Sequence, residues 1–455
     1  MNNFLYYFAA FALVLGILIV VHEFGHYLVA RWAGVKVLRF SVGFGRTLYS
    51  KRIGRDATEW AIGIFPLGGY VKMLDEREGD VPPEEAHRSF NRQTVLWRMA
   101  IVSAGPLANF LLAIFLYWGI FWHGTEELKP VLGSPIATSA AAAAGIENGE
   151  RVLRVAGETV ETWQDMRWVL LRRAVAQDSI DLEVINERQE ITIRHLDVST
   201  VRESGWEGDA IEKLGIGFYR PMIRPVLDKI SPDSAAESAG LHPGDEILAI
   251  DTKAISSWSD VVQAVRRSPG KSLDFDILRD GQSIKIRITP VVIEERGREI
   301  GRIGASVSDA GRSRSDLMTT VRYGTVSALE KAILETWDKS VFSLVMIGKM
   351  ITGEVSWRNI SGPVTIADYA GQSARLGLDY YLKFLALVSI SLGVLNLLPI
   401  PILDGGHLLY YVVEIIMRRP LSERAMEIGQ QIGLALLLML MAFAFYNDIN
   451  RLISG

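Results

Sequence analysis

Residues 4–26 read FLYYFAAFALVLGILIVVHEFGH. The first 18 of them, Phe4 to Val21, are uncharged and mostly apolar, and about 20 such residues are what a helix needs to cross a bilayer. His22 and His26 then stand four apart, on one face of a helix, the spacing a zinc ion needs from a single helical segment. Glu23 lies beside them, where a carboxylate can take a proton from a water activated by the metal. Two imidazoles and a carboxylate in an apolar helix are costly in lipid, so such residues usually face a protein interior and mark function. The plain alternative is a pair of histidines satisfied by packing near a helix end.

The composition agrees with a membrane protein. Apolar residues make up 49% of the 455, mean hydropathy is +0.20, and the length exceeds one ordinary domain. A net charge of −4 leaves no nucleic-acid footprint. With no cysteine, disulfides, Cys-ligated zinc and a Cys nucleophile are excluded, and the remaining zinc ligands are His, Asp and Glu.

Working outward, residues 4–30 predict the first membrane helix. A signal peptide fits poorly, since Met1-Asn2-Asn3 has no basic residue and no small-x-small cleavage site follows. Residues 31–98 hold 12 Lys and Arg, seven of them before residue 56, which puts this loop in the cytoplasm and the N-terminus outside. Arg39–Ser50 and Glu59–Leu74 read as strands punctuated by Gly43-Phe44-Gly45 and Pro66-Leu67-Gly68-Gly69. Apolar strands beside a membrane helix suggest a β-hairpin dipping into the bilayer, with an amphipathic cytosolic sheet as the alternative. Residues 99–122 predict the second span, with Pro106 and Asn109 inside and Tyr117, Trp118 and Trp122 at its far end. Residues 294–314 read as a charged linker. Residues 315–352 have helical periodicity but too many charges to span, which suggests a helix lying on the membrane surface. The third span is expected over 382–417 and the fourth over 427–447, joined by a short basic loop with Arg418, Arg419 and Arg424.

Between spans two and three, residues 123–381 form one long extracytoplasmic stretch with an internal repeat at a fixed offset of 95. Ser139-Ala140-Ala141 recurs as Ser234-Ala235-Ala236, and Ala144-Gly145, Gly149, Leu153, Trp163, Asp165 and Arg172 recur as Ala239-Gly240, Gly244, Leu248, Trp258, Asp260 and Arg267. Each unit resembles the PDZ domain, most clearly in Ala239–Ile247. The resemblance covers about 127–200 and 222–293 and implies extended peptides or C-terminal ligands. Structural modules without a ligand are the alternative.

The third span carries a second chemical signal. Phe384 to Leu403 is a run of 20 residues without a charge, ending in Asn396-Leu-Leu-Pro399-Ile-Pro401-Ile-Leu403-Asp404-Gly405. At ~1.5 Å per residue, His22 and Asp404 both lie roughly 27–30 Å from the outer face. Asp404 is the lone acid of its apolar stretch and needs a partner. Zinc on His22 and His26 needs a third protein ligand, with the fourth position left for water. Asp404 fits that place, and His407 is a less constrained alternative.

HEFGH in the first span, Asn396 to Gly405 in the third and a PDZ pair between spans two and three together resemble the site-2 proteases, zinc metalloproteases that cut within membranes. The resemblance runs over essentially the whole sequence, and the family pattern N-x-x-P-x-P-x-L-D-G is met in full. It implies one Zn2+ per molecule held by His22, His26 and Asp404, with Glu23 as catalytic base. It also implies a single-pass membrane protein as substrate, an anti-sigma factor already shortened by another protease, at a bacterial inner membrane. Substrate contacts are expected at Gly43, Phe44 and Gly45, where the substrate would add as a strand, and at Asn396, Pro399 and Pro401. The expected fold is a polytopic α-helical membrane protein: a core of 1–122 and 382–455, a membrane-associated β-hairpin region and two extracytoplasmic PDZ-like α/β domains. A transporter would show more spans and matched repeats within the membrane. A membrane-anchored PDZ scaffold would leave His22, Glu23, His26 and Asp404 without a role.

Overall fold

The computed structural model describes residues 2–199, 201, 210–219, 223–295, 298–307, 314–419 and 421–454. The chain divides into two compact units, one of Met1–Thr125, Ser199–Ala210 and Thr320–Gly455, the other of Glu126–Val198 and Ile211–Thr319. The expected module boundaries at 200 and 222 lie outside the described residues, as do 296–297 and 308–313 of the expected linker.

In the first unit, helix α1 (Asn2–Trp32) runs unbroken through the histidine motif, as an apolar run free of proline allows. Strands β1 (Val37–Ile53) and β2 (Thr58–Met73) follow. They are not a simple hairpin. Phe40 faces both Val71 and Trp60, while Lys51, further along β1, also faces Trp60. Each strand therefore folds on itself, giving four antiparallel rows in the order 69–73, 37–42, 58–62 and 47–53. The bend in β1 falls at Gly43 and Gly45, with φ of 91° and 82°, a region glycine enters without steric cost. Phe44, Leu48, Tyr49, Ile62, Ile64 and Phe65 leave an apolar surface exposed on this sheet.

Helix α2 (Val95–His123) begins where the Thr94 hydroxyl accepts the Trp97 N–H, and it contains Pro106. It is the central element of the unit, packing on α1 and on the C-terminal helices.

The second unit realises the repeat. In the first module a short helix α3 (Ala140–Ala143) is followed by β3 (Arg151–Val155), β4 (Glu158–Thr159), α4 (Trp163–Ala174), β5 (Ser179–Ile185) and β6 (Ile191–Asp197). In the second, β7 (Leu227–Ile230) and α5 (Ala235–Ser238) precede β8 (Glu246–Ile250), β9 (Lys253–Ala254), α6 (Trp258–Arg266), β10 (Leu273–Arg279) and β11 (Gln282–Ile288). The two four-stranded sheets have the same order, β4-β3-β5-β6 and β9-β8-β10-β11. The stretch expected as a linker is structured instead. β12 (Val291–Glu295) and β13 (Arg298–Arg302) pair with each other, and β14 (Ala305–Val307) pairs with β7. Ile293 and Ile300 face each other across that pair, an alternation that the surrounding charges obscure. The first module likewise extends past 200, since Phe218 bridges to Leu132.

Back in the first unit, α7 (Thr325–Thr352) buries Ala328, Ala332 and Thr336. It packs on α2, while its larger apolar side chains, among them Val326, Ile333, Leu334 and Trp337, stay exposed. Helix α8 (Pro363–Leu376), which sequence periodicity did not single out, lies against α1 with Ala370 buried. The expected third span is two helices, α9 (Leu378–Leu397) and α10 (Asp404–Met417), with 398–403 non-helical between them. Pro399 and Pro401 supply no N–H to continue a helix, and Ile402 has φ of 87°. Helix α11 (Glu423–Ser454) follows as the last element. Near its end, buried Asp448 accepts the N–H groups of Gly362, Val364 and Thr365, at 2.9, 2.9 and 3.2 Å, capping α8. Among the described residues, four helices, within Leu5–Trp32, Val95–His123, Leu378–Leu397 and Arg424–Arg451, are long and apolar enough to cross a membrane.

Candidate metal centre

The helical turn between His22 and His26 sets their rings edge to face, with centroids 4.9 Å apart. Asp404 reaches the same point from the first residue of α10, where a helix N-terminus favours a carboxylate. His22 Nε2 lies 3.3 Å from His26 Nε2 and 3.2 Å from Asp404 Oδ2, and His26 Nε2 lies 3.6 Å from Asp404 Oδ1. These separations test the donor set. Zinc bonds of about 2.0–2.1 Å in a tetrahedron put neighbouring ligand atoms ~3.3–3.4 Å apart; the two histidine nitrogens meet that spacing, and with one oxygen from Asp404 the three ligand atoms all lie within 4.8 Å of one another. Among the described residues these three form the group able to hold a metal ion, and His407 is not part of it. All three are buried or nearly so.

The surroundings are cut to fit. A Cβ at Gly105 of α2 would come within 2.3 Å of His26 Nε2 and 2.8 Å of His22 Cε1. A Cβ at Gly25 would meet the Ala104 carbonyl oxygen at 2.3 Å, so glycine lets α1 and α2 approach there. Gly405 and Gly406 likewise lie against the carbonyls of Leu397, Leu398 and Ile400, which lets α10 start directly after the turn. Arg98 of α2 holds α10 from the other side, through a 2.7 Å bond to Glu414 and a position 4.9 Å over the Tyr411 ring. His26 Nδ1 is 2.8 Å from the Ile101 carbonyl, so the ring donates there and leaves Nε2 for a metal.

Glu23 is buried, with its Cγ 2.8 Å from where a Cβ on Gly69 would stand. The row of β2 at 69–73 thus runs beside the glutamate. Gly43, Phe44 and Gly45 form the bend of the same sheet, and the Phe44 ring stacks on Tyr70 at 6.2 Å. Asn396 Nδ2 comes within 3.4 Å of His22 Nε2. Pro399 is exposed, and the Pro401 carbonyl lies against Gly433 of α11. Sequence reasoning named the three residues that come together here and Glu23 beside them, but missed Gly69 and Gly105, whose importance is one of space. It noted Asn109 only as a polar residue inside a span.

The second unit has a cavity of about 400 Å³ in its second module, lined by Trp258, Val261 and Val265 of α6 and by Gly301 to Ser306. At the matching place in the first module, Phe218 stacks on Trp163 with centroids 4.2 Å apart. Phe218 bridges to Leu132 as Val307 pairs with Leu227, so the ring stands where the second module has a smaller valine side chain.

The description "Peptidase family M50" matches residues 10–440 of this chain. The regulator of sigma-E protease RseP of Escherichia coli K12 is 41% identical over 99% of this chain and 100% of its own length. A putative zinc metalloprotease of Vibrio cholerae is 40% identical over 99% of this chain and 100% of its own. Among solved structures, a PDZ domain of a Listeria monocytogenes protein, 19% identical, covers 20% of this chain and 94% of its own at a TM-score of 0.17.

Proposed function

Because the chain belongs to peptidase family M50, the site-2 proteases, and is a zinc metalloprotease, we propose that it hydrolyses a peptide bond within the membrane-spanning segment of a single-pass protein. The observation that carries this is the convergence of His22, His26 and Asp404, whose ligand atoms all lie within 4.8 Å of one another. These three hold one zinc per molecule. When bound, zinc polarises the scissile carbonyl and makes water acidic enough to attack near neutral pH. Glu23 takes the proton of the attacking water and passes it to the leaving amine nitrogen, so one C–N bond breaks as one C–O bond forms.

A helical substrate hides its peptide bonds in its own hydrogen bonds and must unwind to be cut. The β1–β2 sheet, which runs beside Glu23 at Gly69, receives the unwound segment as an added strand. Gly43, Phe44 and Gly45 shape that sheet, and Asn396 and the Pro399–Pro401 turn guide the segment from the opposite side. The protein is a multi-pass protein of a bacterial inner membrane, with the 31–98 and 418–424 loops cytoplasmic and both termini and the repeat modules outside. The substrate is an anti-sigma factor, in keeping with the name of the 41% identical relative. The open groove at Trp258 and Ala305 suits an extended peptide or a free carboxyl terminus, while the first module's groove is filled by Phe218.

The test is cleavage of a single-pass membrane peptide by the purified protein in lipid. A chelator should stop it and zinc restore it. Glu23→Gln should keep its zinc and lose activity by about 10²–10⁴-fold, the range of general-base catalysis. A Glu23→Gln protein that cuts at the normal rate removes Glu23 from the base role.

A further inference from the structure

Helix α2 carries a feature that neither the ligand set nor the base explains. Asn109 is fully buried in an otherwise apolar stretch of that helix. Its backbone carbonyl accepts the Ser389 hydroxyl at 2.7 Å. Its side-chain amide lies 3.2 Å from His22 Nδ1, with Nδ2 toward the ring, and its Oδ1 is buried without a partner.

The proton inventory turns this into a statement about the metal. An amide NH2 can only donate. With Nδ2 toward the ring, His22 Nδ1 must accept and the ring proton is left to Nε2, although Asn396 Nδ2, 3.4 Å away, also calls for an acceptor there and a neutral imidazole has only one. Yet Nε2 is the atom that faces His26 and Asp404, at 3.3 and 3.2 Å. A protonated Nε2 cannot bind a metal. The two ends of an asparagine amide are nearly the same shape, so rotation by half a turn places Oδ1 where Nδ2 stands. Oδ1 then accepts the Nδ1–H and leaves the Nε2 lone pair toward the metal.

His26 is already oriented in this way from the same helix, through the Ile101 carbonyl at 2.8 Å. Ile101, Gly105 and Asn109 follow one another at intervals of four, a single stripe along α2. The first sets one imidazole, the second clears room for both rings, and the third reaches the other imidazole.

We propose that Asn109 is a positioning residue for the metal: its Oδ1 accepts the His22 Nδ1–H, selecting the tautomer that binds through Nε2. This rests on His22 being a ligand. Groups in this position are worth about 10–100-fold in metal affinity when removed.

The test is zinc affinity of the full-length protein, measured by chelator competition without any activity assay. Asn109→Leu, similar in volume and unable to accept, should bind zinc about 10–100-fold more weakly. Asn109→Asp keeps an acceptor in place and should bind no more weakly than the parent. A packing role predicts the opposite order, because a buried carboxylate is harder to accommodate than leucine. Should Asn109→Leu not fold, Asn109→Ala carries the same expectation. The proposal is overturned if the leucine or alanine protein binds zinc as the parent does, or if the aspartate protein is as weak as either. His22→Ala is the control. If it still binds zinc at parent affinity, the ligand reading falls and this proposal falls with it. If only the Asn109 variants are unaffected, this proposal alone fails.

Discussion

At the scale of single residues the site is decided as much by what is missing as by what is present. The proposed ligands are His22, His26 and Asp404, and the two imidazole rings lie where they do only because Gly105 has no side chain. Gly105→Val should therefore abolish zinc binding while leaving Glu23 and all three ligands in the sequence, and Gly105→Ala should weaken it. Metal content of the purified proteins checks this, and full zinc occupancy in the valine variant would refute it. His22→Ala with His26→Ala should lose zinc outright, and Asp404→Asn should bind it more weakly and be inactive. The ligands were legible because a four-residue His spacing and a lone acid in an apolar run are chemical statements on their own. Gly105 and Gly69 were not, because a glycine in a sequence does not say which neighbour needs its space. Ile402 shows the same limit, since nothing in the string announces a β-branched residue at φ 87°, a conformation of a kind that persists only where its surroundings impose it.

At the scale of elements, periodicity performed well where one cause dominated. The apolar runs became helices, and the offset of 95 became two sheets of the same strand order. It failed where causes overlapped. Charges on 294–302 masked a two-stranded ladder. The repeat also explains its own acidic residue. Glu150 Oε2 accepts the Glu147 N–H at 3.0 Å, and Asp245 Oδ2 accepts the His242 N–H at 2.8 Å. Each acid also meets an arginine, Arg194 at 2.6 Å and Arg279 at 2.7 Å. The motif acid is thus a buried turn clamp. Burial by itself would raise the Asp245 carboxyl, but the bonds from Arg279 and from the His242 N–H outweigh it and hold it below the usual carboxylate value. A carboxyl depressed in the folded state stabilises above its unfolded pKa and loses that contribution as pH falls through the folded one. Asp245→Asn should therefore cost about 1.5–3 kcal/mol at neutral pH, and the difference should shrink as pH drops below ~4. Denaturant unfolding followed at Trp258 across pH measures it, and a pH-independent difference would exclude the ion pair as the cause.

At the scale of the whole molecule, the predictions concern sidedness and excision. Reporters fused after residues 60 and 420 should read cytoplasmic, and those after 200, 290 and 455 should read outside. A cytoplasmic reading at 200 would overturn the span order. If the repeat modules exclude substrates with a large outer domain by bulk, removing them should permit cleavage of untrimmed substrate. Residues 126–319 are the segment to excise, a cut that takes 199–210 of the first unit with it, because β12 to β14 belong with the second module. An active excised protein that still refuses untrimmed substrate places the filter elsewhere. The metal triangle has a consequence of a different kind. The proposed ligands His22 and Asp404 stand 382 residues apart in one polypeptide, so the ribosome makes the two histidines long before the aspartate. During synthesis, the half-site on α1 has two ligands and its glutamate but no third arm. If the proposed ligand set holds, competence to bind the metal waits for translation to pass Asp404, and a nascent polypeptide aborted before it lacks the third ligand.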